Sequence, residues 1–327
     1  MNLRSRIRAG AAMLISALAC AVVAHAQEPF PSKPLRVVVP VPAGGNLDLV
    51  TRAVSERLSA SIGQPVIVEN RSGASSSVGT RFVAKSAPDG YTLLAMANTF
   101  LSTPAVMAGA GYDPVAEFVG VSELARIPNV LVVSASSPFQ SVTELIAQAK
   151  AKPGELSFAT AGAGSVGHMA AERFARQVGA QFTHIPYKGN APALVDIVGG
   201  RVAFMFDQIS TSAPHLKAGK LRSMGVTTAT RAALFPDLQT LDEAGVKGFE
   251  DVTFNGLSAP AGTPPDVLAK LYEEVAKVLR SSELRSRFAA QGIEVAPSPS
   301  YAHFTTYIRD EVARYARLAK DANIKIE

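Results

Sequence analysis

The sequence predicts an α/β protein of two doubly wound lobes joined by extended crossings, and three observations carry that expectation. Apolar β-branched runs alternate with stretches of helical period, as in Val37-Val38-Val39 followed by Leu47, Val50, Val54 and Leu58. That alternation belongs to a parallel sheet covered by helices on both faces. The order strand, glycine turn, helix occurs after residue 35 and recurs after residue 156. Between the two cycles the chain looks extended from Val119 to Val133, so a ligand in the cleft of two such lobes could be enclosed by a hinge motion.

The chain opens with Arg4, Arg6 and Arg8, an apolar run from Ala9 to Ala24, and Ala24-His25-Ala26 ahead of Gln27. This is the layout of a secretory signal peptide spanning residues 1–26 and cut after Ala26. The apolar run falls short of the about 20 residues that a membrane-spanning helix needs. The mature chain is expected to be soluble and exported. Cys20, the only cysteine, falls inside the leader, where an Ala17-Leu18-Ala19-Cys20 lipobox is the lesser alternative. A chain without disulfides depends on its core, and the remaining length is ample for one or two cores. The leader takes three arginines with it and leaves 29 basic against 27 acidic residues, where the whole chain has 32 and 27. With so small an excess, and no Lys/Arg run interleaved with aromatics, nucleic acid is excluded as a partner class.

The stretch Leu35 to Leu58 organises the first lobe. Val37 to Val39 suit a strand buried on both faces, and Pro42-Ala43-Gly44-Gly45 cannot continue it. Asn46 is expected as the N-cap of the helix that follows, whose first N–H groups lack helical partners and present the positive end of the dipole to a small anion. Asp48 in the first turn either caps the helix or meets a ligand's amine or hydroxyl. Val66-Ile67-Val68 reads as the second strand and Thr80 to about Ala87 as a helix. Pro88-Asp89-Gly90 is a turn, and Tyr91 to Ala97 is the third strand. Ligands in such sheets sit beyond the carboxyl ends of strands, which is where Ala43 to Asn46 and Asn98-Thr99 fall.

The second cycle begins near Pro138. Ser141 with Glu144 forms a capping box, and its helix ends by Lys152-Pro153-Gly154. Then come strand Leu156 to Thr160, glycine turn Ala161 to Gly167, helix His168 to Val178, strand Phe182 to Ile185, helix Ala191 to Val198 and strand Val202 to Phe206. A returning strand is expected at Thr253 to Ala259, a helix from Pro265 to Arg280, and a short helix from Ser282 stopped by Gly292. Ser300 leads a last amphipathic helix with Phe304, Ile308, Val312 and Leu318 on one face. The expected lobes are residues 28–124 with 252–327, and residues 125–251.

Three motifs admit other chemistry. Gly162-Ala163-Gly164-Ser165-Val166-Gly167 satisfies G-x-G-x-x-G in a strand-to-helix turn, but the next strand ends His184-Ile185-Pro186-Tyr187-Lys188 without the acid that would hold a ribose. Ser165, with Asp207 and either His215 or His303, has the chain order of a secreted serine hydrolase; its plainer role is helix cap or ligand donor. His168 and Glu172 are spaced i, i+4, yet no further ligand is spaced near them, so no metal is expected and the pair reads as a surface pair or as a histidine, His168, donating to a bound ligand. Tyr187 and Asp207 end strands on the cleft side. No cofactor is expected.

Seven blocks carry a resemblance over the mature chain: VPAGGNLDLVTR, VIVENRSGAS, APDGYTLL, YDPVAEFVGVSEL, FATAGAGSVGHMAAERF, HIPYKGNAPALVDIVGGRVAFMFD and GLSAPAGTPP. In that order and spacing the chain resembles the Bug, or TctC-type, solute receptors of tripartite tricarboxylate transporters. The resemblance implies a periplasmic-binding-protein fold of type II and a non-enzymatic, periplasmic receptor, expected as a monomer. Such a receptor holds a small carboxylate between the loops Pro42 to Asp48 and Thr160 to Ser165, which include Ala161, through backbone N–H groups, hydroxyls and waters. Phe254 stands where the family has a cleft-lining aromatic. The implied partners are the membrane subunits of such a transporter, with a membrane sensor as a second class.

Overall fold

The computed structural model describes residues 30–321 and 323–324. The expected signal peptide, its cleavage point and Cys20 lie outside the described residues. The chain divides into two units at Ser32 and Lys33, and the architecture below is that of the second. Its strands are β1 (Leu35–Val39), β2 (Val66–Asn70), β3 (Thr92–Ala97), β4 (Phe118–Ser134), β5 (Ser157–Thr160), β6 (Thr183–Pro186), β7 (Phe204–Gln208), β8 (Leu221–Val226), β9 (Val252–Pro260) and β10 (Glu294–Val295). Its helices are α1 (Asn46–Ile62), α2 (Ser77–Ala84), α3 (Asn98–Val106), α4 (Val142–Ala151), α5 (Val166–Val178), α6 (Asn190–Val198), α7 (Ile209–Lys217), α8 (Pro265–Leu279), α9 (Ser282–Ala289) and α10 (Tyr301–Asp321).

The strands run in the order β2-β1-β3-β9-β4-β7-β5-β6, with β8 and β10 also on β4. Pairing is parallel at β1–β2, β1–β3, β5–β6 and β5–β7, as right-handed strand–helix–strand crossovers require. The two parallel groups meet through the long antiparallel pair of β4 and β9. From Phe118 to Pro128 β4 pairs with β9, and from Asn129 to Ser134 it pairs with β7 and β8. Register shifts after Gly120 and Glu123 let so long a strand bend between the two groups.

Among the described residues, two clusters of buried apolar side chains lie one in each α/β group. One gathers Phe100, Phe118, Phe254, Phe304 and Tyr315 around β3, α3 and α10; the other gathers Phe158, Phe174, Phe204, Phe206 and Phe249 around β5, α5 and β7. Each is a network of aromatic contacts, such as Phe100 edge-on to Phe118 at 5.1 Å and Phe182 edge-on to Phe204 at 4.9 Å.

Several expectations shift. Asn46 is the first residue of α1 and not its cap; Gly45 occupies the cap position without a side-chain bond. In the expected capping box, Ser141 Oγ does accept from Glu144 N at 3.2 Å, but the Glu144 carboxylate reaches back to Gln140 N at 2.8 Å, one residue before the cap. The short helices α3 and α7 follow directly on β3 and β7. Each contains a proline, Pro104 or Pro214, that obscures it in the sequence.

Candidate ligand-binding site

Five helices begin at the carboxyl ends of strands around one cavity of about 380 Å³. Asn46 and Leu47 of α1, Thr99 of α3, Val166 and Gly167 of α5, Asn190 of α6 and Thr211 of α7 line it, each within the first turn or so of its helix. Asn129 of β4 with Thr253 and Asn255 of β9 line it from the crossing strands. No Lys, Arg or His is among its lining residues, and Asp207 is the one charged group. A larger groove of about 570 Å³ lies where β5 and β7 begin, lined by residues such as Ser157, Arg201 and Ala203. No helix N-terminus lines that groove, so the smaller cavity is the better ligand site in an α/β sheet.

Among the described residues, the backbone N–H groups of Asn46, Leu47, Val166 and Gly167 have no protein acceptor. They belong to first helical turns, which cannot satisfy them internally, and each turn carries the positive end of a helix dipole. Gly167 is small for a reason: a Cβ there would stand 2.6 Å from the carbonyl oxygen of Phe206. Its glycine lets α5 seat against β7. The cavity thus faces several positive helix ends without a single side-chain cation, which suits a small anion.

The first glycine turn is braced from behind. Asp48 is 2 % exposed and accepts from Gly44 N at 2.9 Å, Asn70 Nδ2 at 2.9 Å and Arg52 Nε at 3.0 Å. Burial opposes its charge, but Arg52, Gly44 and Asn70 outweigh burial and hold its carboxyl below the ordinary range. With these partners Asp48 is turned away from the cavity, and Gly44, whose N–H it takes, does not line it either. Ala43, Gly45 and Asn46 do.

The second turn is braced by two histidines. Gly164 N donates to His168 Nδ1 at 3.0 Å, and Thr160 Oγ1 lies 2.7 Å from His184 Nε2. The two rings stack at 3.9 Å, and burial together with the neighbouring imidazole pushes His184 down to about 4. Thr160 Oγ1 also bonds Gly162 N at 3.2 Å. Thr160, Gly162, Gly164 and His168 therefore shape the turn from outside the cavity, whereas Ala161 and Ser165 line it. Ser165 caps α5, its Oγ accepting from His168 N at 3.4 Å.

Across from these turns, Asp207 is 2 % exposed and accepts from Asn190 Nδ2 at 2.6 Å, Thr211 Oγ1 at 2.7 Å and Ser212 Oγ at 2.6 Å. Burial pushes its carboxyl up, against the pull of the Ser212 and Thr211 hydroxyls. It ties α6 and α7 together at the cavity edge. Asn46 Nδ2 donates to Ser210 Oγ at 2.9 Å and to the Gln208 side-chain oxygen, so the β1 turn is bonded to the start of α7.

Phe254 is the clearest correction. It is fully buried in the first core, edge-on to Tyr307 at 5.6 Å and Phe304 at 6.2 Å. Successive residues of a strand face opposite sides, so the cavity receives Thr253 and Asn255 in its place. Asn98 is likewise a brace: Nδ2 donates to Val252 O at 3.0 Å and Tyr315 Oη at 2.9 Å, and Oδ1 accepts from Phe254 N at 3.0 Å. Tyr187 donates to Asp196 Oδ2 at 2.6 Å and does not line the cavity.

The alternative chemistries are not assembled. Among the described residues, no histidine imidazole is hydrogen-bonded to Ser165 Oγ or to Asp207; the one histidine group on that hydroxyl is the backbone N–H of His168. His303 lies instead beside Glu123, Arg126 and Tyr307. His168 Nε2 stands 3.6 Å from Glu172 Oε1, and no cluster of three or more His, Cys, Asp or Glu is placed to hold a metal among the described residues. Thr99, expected beside Asn98 at the end of β3, lines the cavity, whereas Asn129, Asn190, Gln208, Thr211 and Asn255 were missed. Asn190 and Gln208 carried a usable signal, a polar residue just after a strand, while Asn129 and Asn255 needed the register of the crossing strands.

Two α/β lobes, crossing strands and a cavity ringed by helix N-termini define a solute-binding protein of the two-lobe periplasmic-binding-protein fold. The chain belongs to the tripartite tricarboxylate transporter receptor family, TctC, whose model matches residues 50–324. It is 35 % identical over 304 residues to the protein BugT of Bordetella pertussis, covering 91 % of this chain and 92 % of that one. It superposes on the periplasmic binding protein BugD with a TM-score of 0.79 at 32 % identity, covering 91 % and 100 % of the two chains. On R. palustris Rpa4515, solved with adipate, the TM-score is 0.81 at 36 % identity, with 90 % and 99 % covered. The family is one of receptors, not enzymes.

Proposed function

We propose that the protein is a periplasmic receptor that captures a small organic carboxylate in the 380 Å³ cavity and delivers it to the membrane subunits of a tripartite tricarboxylate transporter. The observation that carries this is the convergence of five helix N-termini on a cavity with no lining cation. A carboxylate seated on N–H groups of α1 and α5, with Ser165 Oγ and bridging waters, gains charge-assisted bonds without displacing an existing ion pair. Four to six such bonds at about 0.5–1.5 kcal/mol each are enough for micromolar affinity. The adipate held by R. palustris Rpa4515 is a ligand of this class.

The lobes in this reading are residues 28–124 with 252–327, and residues 125–251, which move as bodies about β4 and β9. Residues 1–26 are removed on export. The test is a thermal-shift screen over mono-, di- and tricarboxylates, aromatic acids and amino acids, since a ligand that binds only the folded state raises its melting point. A small di- or aromatic carboxylate is the expected hit, followed by an acidic amino acid. A pull-down from membranes with and without that hit tests the partner, and recovery of no permease subunit in either arm would remove the transport role.

A further inference from the structure

Asn255 is 1 % exposed and lines the cavity from β9, yet its side-chain oxygen Oδ1 has no hydrogen-bond partner among the described residues. Its orientation is fixed, because Nδ2 donates to Phe254 O at 2.9 Å. Turning the amide over would set two oxygens against each other and lose that bond. A buried acceptor left alone costs roughly 1–3 kcal/mol, so such groups are kept where something else supplies the donor.

The neighbours of Asn255 share its polarity. Thr253 Oγ1 donates to Asn129 Oδ1 at 3.0 Å, and Asn129 Nδ2 donates to Asp251 Oδ1 at 3.3 Å. One N–H of each amide and the Thr253 hydroxyl proton are used within this floor, while the Asn255 oxygen is left without a donor. The same cavity is lined by the first turns of α1 and α5, whose N–H groups are donors, so helix ends bring donors to it and Asn255 brings an unpaired acceptor.

Resting on the carboxylate reading above, we infer that Asn255 selects carboxylates that also carry a hydrogen-bond donor, a hydroxyl or an ammonium group, on the carbon skeleton. The carboxylate sits at the helix ends, and the donor group satisfies Asn255 Oδ1. A skeletal analogue lacking the donor leaves that oxygen unpaired and binds less tightly.

Calorimetry with matched probes tests this: malate and aspartate against succinate, and lactate against propionate. The wild type is expected to bind at least one donor-bearing member about tenfold or more tighter than its partner, the effect of one buried hydrogen bond. The order of malate and aspartate tells hydroxyl from ammonium. In Asn255→Leu the preference should collapse to within twofold through weaker binding of the donor-bearing acid. Equal affinity within both wild-type pairs would overturn the inference and leave the carboxylate reading standing. Binding of none of the five acids would overturn the inference, and the carboxylate reading would then stand or fall on the wider thermal-shift screen. The wild-type comparison stands even if the leucine variant fails to fold.

Discussion

Asn46 Nδ2 donates to Ser210 Oγ at 2.9 Å, a bond between residues 164 apart in sequence that joins the turn after β1 to the first turn of α7. Both ends lie beside the cavity, and the same amide reaches Gln208. On the proposed reading, in which the two α/β groups close on a ligand, the bond favours the closed arrangement. Asn46→Ala removes it and lowers the closed population, and apparent affinity falls in proportion to that population. A loss of up to about tenfold is expected for one such bond, with the melting point of the free protein nearly unchanged. Unaltered affinity by calorimetry would show that the contact does not contribute to closure.

Gly167→Ala should be destabilising. Its Cβ would meet the Phe206 carbonyl at 2.6 Å, so α5 must lift from β7 at a cost of about 1–3 kcal/mol. Gly45→Ala meets nothing within 4 Å and needs no unusual φ, and its stability should match the wild type. Denaturant unfolding of the pair measures the contrast, and equal midpoints would mean that the packing of α5 on β7 tolerates the added methyl.

Ser165→Ala should cost about 1 kcal/mol of stability through the lost α5 cap. The same hydroxyl has no imidazole hydrogen-bonded to it among the described residues to act as its base, so a fluorophosphonate should leave Ser165 unmodified in mass spectrometry. Stoichiometric labelling would restore the hydrolase alternative.

His184 predicts a pH effect. Burial and the stacked His168 hold it at about 4 against an ordinary 6.5, so the unfolded chain takes up the proton first as pH falls. The stability that neutral His184 contributes is whole above pH 6.5, declines through the interval and is gone below about 4. Asp251, pushed by burial to about 6 from 3.8, works in the opposite sense, because its ionisation as pH rises through 6 costs stability. Comparison with His184→Gln cancels Asp251. The melting-point advantage of the wild type should shrink from pH 7 to pH 4, and a constant difference would contradict the assignment.

Much of the architecture was legible because strand runs and helical periods leave local marks: Val37 to Val39, the Ser165 cap and the Pro265 start all stand in the sequence. The two glycine turns were legible as strand-to-helix turns, and Ala43, Gly45 and Asn46 of one and Ala161 and Ser165 of the other line the cavity. What could not be read was direction. Asp48 and His168 carry polar groups in the right turns, but each is recruited to brace the turn from behind, by Arg52 and Asn70 in one case and by Gly164 in the other. Phe254 and Asn255 differ by one step of the pleat, and only the pairing of β9 with β3 and β4 decides which faces the cavity. Asn129 and Asn190 enter from elements far from either glycine turn, and the topology alone brings them there.

The central claim is that helix N-termini, without a cation, hold the ligand's carboxylate. The most direct measurement is a thermal-shift comparison of each carboxylate with its primary amide, which keeps shape and loses the charge. Carboxylates should raise the melting point by several degrees at saturating concentration while their amides do not. Equal shifts for acid and amide, or shifts produced only by sugars, nucleotides or cations, would contradict it.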